Sequence, residues 1–329
     1  MTATALPVRD LHVRLAATIL AQLDTADPAS WTPPWHGADP MPRNACTGRR
    51  YRGINVLALW CAARANGYAD ARWATYRQWA LLGAQVRRAE RATLVLFYKE
   101  LPRGAEAEPT DGAPFVARAA HVFNVAQVDA APPLANALDA GAARDPLPTF
   151  DAFVAATGAT VRRGGTRACY VPATDTIHLP PRAAFRTPTG YAGTLAHELV
   201  HWTGAPHRLA RDLTGRFGAR AYAAEELVAE LGAAFVLADL GIARAPHPDH
   251  AAYCASWVPL LRTDPHAVST AAAQASRAAD HLAALQPGAP PPAEGSGEGS
   301  ACIVPKPRDT PIAQQACRVA PISPRASAT

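Results

Sequence analysis

The stretch Tyr191–Gly204, YAGTLAHELVHWTG, limits what this chain can fold into more than any other. It sets His197, Glu198 and His201 in an HExxH pattern. On an α-helix, residues i and i+4 share a face about one turn apart, so both imidazoles can reach one metal ion. Glu198 then stands beside them, placed to act on water without ligating. The segment is therefore predicted to be a helix. Leu195, Ala196, Leu199 and Val200 give it an apolar face to bury, and Gly204 gives it an end.

A catalytic zinc keeps three protein ligands and one open position, so a third ligand is needed beside His197 and His201. Two residues compete for that place. His207 completes HExxHxxGxxH, a pattern accompanied by a downstream methionine turn. Here the only methionines, Met1 and Met41, both precede it. The stretch AAEELVAELGAAF offers Glu226 and Glu230 four residues apart, among Val228, Leu231 and Phe235. Two carboxylates aimed inward from an apolar helix are costly without a cation to meet them. Glu226 is the favoured ligand, with Glu230 bonded to the free nitrogen of a ligating ring. Trp202, Tyr191 and Tyr222 are candidates for the wall of the site or an oxyanion contact, with packing as their ordinary role. Zinc is the expected ion, and manganese or another divalent ion suits the same donor set.

The front of the chain has a different chemistry. Between Arg43 and Lys99, eleven basic residues face only Asp70 and Glu90, a local balance of +9 in a chain whose net charge is +5. A segment this basic suits a polyanion. Single-stranded nucleic acid is held by a positive groove and by rings on which bases stack. Trp31, Trp35, Tyr51, Trp73 and Tyr76 supply rings. Arg43, Arg49, Arg50, Arg52, Arg77, Arg87, Arg88 and Lys99 supply charge, and Asn44 and Asn55 add hydrogen bonds. The competing reading puts the tryptophans in the core and the arginines on a solvated face.

Helical spacing of Val8, Leu11, Leu15, Ile19 and Leu23 argues for an amphipathic leading helix and against a signal peptide. No apolar run is long enough to span a membrane. The six cysteines are scattered without a CxxC pair, so reduced thiols and a cytoplasmic setting are expected. INVLALWCAARANG is predicted to be a helix with Ile54, Leu57 and Cys61 on one face and Gly67 at its end. WATYRQWALLGA reads as a short helix, and TLVLFYKE and VFNV as strands. In the rear, FDAFVAATG, the HExxH segment, AAEELVAELGAAFVLADLG, HAAYCASWVPLLR and AVSTAAAQASRAADHLAAL read as helices, with two strands in ACYVPA and TIHLP.

Together NACTGRRYRGINVLALW and WATYRQWALLGAQVRRAERATLVLFYKE resemble the N-terminal domain of the ArdC-type antirestriction proteins. TLAHELVHWTGAPHRLARD, AYAAEELVAELGAAF and ASWVPLLRTDPHAVSTAAAQASRAADHL are similar to the zincin-type metallopeptidase domain of the same proteins. The resemblance implies a protein of a plasmid or other mobile element that binds single-stranded DNA through its front domain and protects incoming DNA from restriction. It also implies that Glu226 is the third ligand. The chain departs from the family where VRRAERAT carries Ala89 and Ala92 in place of two glycines, and where Ala119 and Ala120 precede His121.

The expected fold is α+β, with a small mixed DNA-binding domain (6–128), a linker (129–148), a mainly helical zincin-like domain (149–285) and a disordered tail (286–329). Single-stranded DNA and a peptide or protein substrate are the expected partners, with no membrane. The competing functions are a DNA-shielding protein with an idle or structural metal site, and a general zinc peptidase with an incidental basic face.

Overall fold

The structure is a computed structural model that describes residues 13, 17, 39–100, 115–133, 147–213, 220–242, 264 and 266–289. Outside those residues lie most of the predicted leading helix, Trp31 and Trp35, the greater part of the linker, HAAYCASWVPLLR and the tail beyond residue 289.

The front half runs β1 (Arg43–Asn44), α1 (Ile54–Asn66), β2 (Arg72–Thr75), α2 (Tyr76–Leu81), β3 (Gln85–Val86), β4 (Thr93–Glu100), β5 (Phe115–Asn124) and β6 (Val128–Asp129). One sheet has the order β1-β2-β5-β4, with β1 parallel to β2 and the other pairs antiparallel. A second, two-stranded sheet joins β3 to β6. Helix α1 ends where predicted, at Gly67, whose φ of 69° lets its amide turn back to the carbonyls of Ala63 and Arg64. Its burial is wider than the single face predicted, because Val56, Leu59 and Trp60 are also buried. The cause is that α1 is covered from two sides. Asn55 exchanges two hydrogen bonds with the backbone of Leu96 on β4, at 2.6 and 2.7 Å. Trp60 packs on Phe235 of the rear half with ring centroids 5.7 Å apart.

Short α2 is closed by a reciprocal cap between Thr75 and Gln78. It shields a small apolar cluster of Ala74, Trp79, Ala84, Val86 and Val128. The strand expected at VFNV is longer than predicted and starts at Phe115.

The rear half runs α3 (Leu147–Ala156), β7 (Thr160–Arg163), β8 (Cys169–Val171), β9 (Thr176–Leu179), α4 (Pro188–Thr203), α5 (Arg220–Asp239) and α6 (Ala267–Ala284). Strand β7 was not predicted: TVRR is mostly exposed and has no apolar alternation to betray it. It pairs parallel with β9, and β8 pairs antiparallel on the other side, so β8 is an edge strand. Helix α6 buries Ala271, Ala272, Ala275, Ala278 and Ala279, small side chains that allow close approach to α5.

A single apolar cluster runs through both halves, from Trp60, Trp73 and Val95 to Leu195, Leu231 and Leu282. Polar contacts cross between them as well. Arg43 and Arg50 both pair with Asp239, Arg52 pairs with Asp280, and the Gly53 amide donates to Ser276 Oγ at 2.8 Å. Among the described residues no helix is long and apolar enough to cross a membrane.

Candidate metal centre and basic face

Helix α4 starts at Thr187, whose Oγ1 accepts from the Gly190 amide at 3.0 Å, with Pro188 in the first turn. Its buried side chains include Leu195, Leu199 and Val200 as well as His197 and Glu198. Helix α5 lies against it where Gly232 meets Val200. A β-carbon on Gly232 would come within 2.7 and 2.9 Å of the two Val200 methyls. The bare glycine therefore sets the approach that brings the carboxylates of α5 to the imidazoles of α4.

There Nε2 of His197 and Nε2 of His201 face each other at 3.1 Å. Glu226 closes the group, with Oε2 3.3 Å from His197 Nε2 and Oε1 3.6 Å from His201 Nε2. An ion with ligands at about 2.0–2.2 Å sets its ligand atoms roughly 3.0–3.5 Å apart, close to these separations. Glu226 Oε2 is buried and makes no hydrogen bond of acceptable geometry, a costly position that a cation relieves. Burial opposes a charged ring on His197, yet the carboxylates of Glu226 and Glu230 outweigh it and raise its pKa to about 10. The site thus calls for positive charge, and the donor set fits a divalent ion.

Each of the two imidazoles is backed by a carboxylate. Glu230 Oε2 lies 3.6 Å from His197 Nδ1, and His201 Nδ1 donates to Glu225 at 3.1 Å. Glu225 was not singled out from the sequence, where it reads as one half of an exposed Glu-Glu pair. Its partner Arg211 stands 14 residues earlier in the chain and leaves no local signal. Glu198 accepts from the Tyr170 amide of β8 at 2.7 Å. That strand is pinned in turn, since Tyr170 donates its hydroxyl to Asp175 at 2.9 Å and accepts from Arg208 at 3.2 Å. Arg208 stacks 3.7 Å above the Trp202 ring. Trp202 is therefore a packing and stacking residue, and Tyr191, 1% exposed, accepts at its hydroxyl from the exposed Arg163 at 3.0 Å.

Tyr222 does line the site, and burial followed by the nearby Glu226 pushes its hydroxyl pKa upward. His207 is not in the group: its side chain is 63% exposed and its Nε2 lies 3.6 Å from Asp175. The cavity in front of the imidazoles holds about 250 Å³ and is lined by Cys169, Tyr170, Pro172 and Leu213 besides the residues named.

The front-half residues predicted to meet DNA separate into three groups. Trp73 at 1%, Tyr51 at 6% and Asn55 at 6% exposure are core residues. Neither ring offers a face for stacking, and Asn55 is committed to Leu96. Arg43, Arg50 and Arg52 are tied to Asp239 and Asp280 of the rear half. The third group stays on the surface around α2 and β3. Tyr76 is 52% exposed and accepts from Gln85 at 2.8 Å. Arg77 and Arg88 are exposed nearby, and Arg87 pairs with Glu90 at 2.8 Å. Asn44 donates to Gln78 at 3.2 Å and caps the turn that carries exposed Arg49. Lys99 sits on β4 opposite Val116.

Comparison with known proteins agrees with both halves. Residues 9–125 match the N-terminal domain of anti-restriction factor ArdC, and residues 148–274 match a zincin-like metallopeptidase. Protein y4eC of Sinorhizobium fredii is 42% identical over 287 residues, covering 84% of this chain and 92% of that one. The DNA primase TraC of Escherichia coli is 38% identical over a similar stretch, but the match covers only 27% of its length. The crystal structure of metal-free antirestriction protein ArdC from plasmid R388 superposes with a TM-score of 0.68 at 39% identity, covering 84% of this chain and 97% of that one. Its Mn(II)-bound form gives 0.67 at 38% identity, covering 84% and 98%. From the HExxH helix to the basic front, the chain belongs to the ArdC family of antirestriction proteins.

Proposed function

We propose that this chain is an antirestriction protein of a mobile element that works in the cytoplasm, coupling single-stranded DNA binding to a metal-dependent peptidase. Residues 6–128 serve as the DNA-binding domain, 149–285 as the peptidase domain and 129–148 as the link between them. The observation that carries the metal half is the meeting of His197, His201 and Glu226, with one carboxylate oxygen buried and unbonded. Those three residues would hold the ion. Zinc suits them, and so does the manganese bound by the R388 relative.

A divalent ion there supplies Lewis acidity toward a carbonyl and makes a water proton easier to remove. Glu198 takes that proton and delivers it to the departing nitrogen. The Tyr170 amide aims the Glu198 carboxylate while it does so. Glu230 and Glu225 fix which nitrogen of each ring faces the cavity. The edge of β8 runs beside the cavity, where an extended peptide can lie.

The DNA half rests on the surface group of Tyr76, Arg77, Arg87, Arg88, Arg49 and Asn44, which joins an exposed ring to unburied charge. Two experiments test the reading. Affinity for a labelled oligonucleotide should fall with salt at a slope of about −0.7 per phosphate neutralised; a flat response removes the DNA half. Glu198→Gln should abolish protection from restriction while leaving oligonucleotide affinity intact. Full protection by that variant would leave DNA shielding as the activity and the metal site idle.

A further inference from the structure

Gly204 is not required by its backbone conformation, since its φ of −76° is open to any residue. Space requires it. A β-carbon there would lie 3.0 Å from Arg211 Nη2, 2.9 Å from Leu213 Cδ2 and 3.0 Å from the His201 carbonyl oxygen. The room left by Gly204 is occupied by a guanidinium. Arg211 donates from Nε and Nη2 to both oxygens of Glu225 at 3.0 and 2.9 Å, a two-pronged contact. It also donates to Thr203 Oγ1 at 2.8 Å and to the Val200 carbonyl at 2.6 Å. Its side chain is 6% exposed and that of Glu225 12%. Arg211 is thus bolted to the last turn of α4 and holds Glu225, which in turn holds His201 through Nδ1 at 3.1 Å.

We infer that Arg211 is a positioning residue of the metal centre, admitted by Gly204 and acting through Glu225 on His201. The inference rests on the assignment of a divalent ion to His197, His201 and Glu226. It gives a physical meaning to the glycine of HELVHWTGAPH. In this chain the glycine clears a passage for the arginine seven residues later, and His207 turns to Asp175 instead. Two features assign Arg211 more than a generic ion pair. It bridges both carboxylate oxygens, leaving Glu225 one orientation, and it offsets one of four carboxylates gathered at residues 198, 225, 226 and 230. A lysine has neither the fork nor the reach to Thr203 and Val200 together.

The test is Mn(II) titration of the full chain by calorimetry, with thermal midpoints of the metal-free proteins measured in parallel. Glu225→Ala should weaken Mn(II) binding by about 10–100-fold, the usual cost of losing a ligand's hydrogen-bond partner. Gly204→Ala keeps every charge and every ligand and should still weaken binding by roughly tenfold, because the guanidinium is displaced. Arg211→Lys should weaken it at least about threefold, and decides the matter if Gly204→Ala does not fold. His207→Ala should bind as the wild type does. The inference is overturned if Glu225→Ala and Gly204→Ala bind within about twofold of the wild type, or if they only melt earlier with Mn(II) affinity unchanged. Failure of the wild type itself to bind Mn(II), with zinc failing too, overturns the metal assignment on which the inference stands. Loss of binding in Glu226→Ala alone leaves that assignment standing and sinks only the role of Arg211.

Discussion

Around the candidate metal centre, Glu225, Glu226, Glu230 and Arg211 lie in or near the core, each within reach of an oppositely charged or ligating group. In the front half, the residues that look alike in sequence have three different fates: burial, pairing with the rear half, or exposure. The difference reflects how far each function depends on local geometry. Two histidines four apart on a helix share a face whatever the rest of the fold does. Whether an arginine is free to meet a phosphate depends on what the rest of the chain brings next to it. Asp239 and Asp280 draw three arginines into pairs with the rear half, and no feature near residues 43–52 announces either.

The largest effect expected in the front half tests its buried group. Asn55→Ala would strand the Leu96 N–H and C=O in the core and should cost about 2–5 kcal/mol in denaturant unfolding. Oligonucleotide affinity of the folded fraction should be unchanged, since Asn55 is 6% exposed and satisfied by the strand. A normal stability with weakened DNA binding would return Asn55 to the DNA surface and undo the division.

Tyr76→Ala tests the exposed group. Loss of one stacking ring should reduce oligonucleotide affinity by about 1–3 kcal/mol. Stability should change little, because the ring is 52% exposed. Tyr51→Phe provides the contrast: its hydroxyl donates to the Trp73 carbonyl at 3.3 Å inside the core, so the change should affect melting and not binding.

The smallest effect concerns Ala89. The resemblance implies a glycine at this position, and the alanine present nonetheless takes a φ of 66°. The left-handed conformation is disfavoured for alanine by about 1–2 kcal/mol, partly offset by the greater freedom of an unfolded glycine. Ala89→Gly should therefore stabilise the protein by roughly 0.5–1 kcal/mol, seen as a rise in Tm of a degree or two.

The described helices of the rear half were legible because apolar spacing and turn residues are local signals. Gly204 ends α4 there, as Gly67 ends α1 in the front half. The positions of His197, His201 and Glu226 could be anticipated for the same reason, together with the cost of burying Glu226 unpaired. Glu225, Arg211 and the Tyr170 amide could not, because each acts through a contact made across the chain. Strand β7 was hidden by an exposed, basic sequence. The joint between the halves was hidden by apolar residues that serve one shared core as readily as two separate ones.

The measurement that bears most directly on the account is the metal content and Mn(II) or zinc affinity of the purified chain beside its Glu226→Ala and His207→Ala variants. One ion per chain is expected, with affinity lowered by roughly 10²–10³-fold in Glu226→Ala, the share of one ligand in a tight site, and unchanged in His207→Ala. Tight binding that survives loss of Glu226, or that vanishes with His207, would contradict the centre described here.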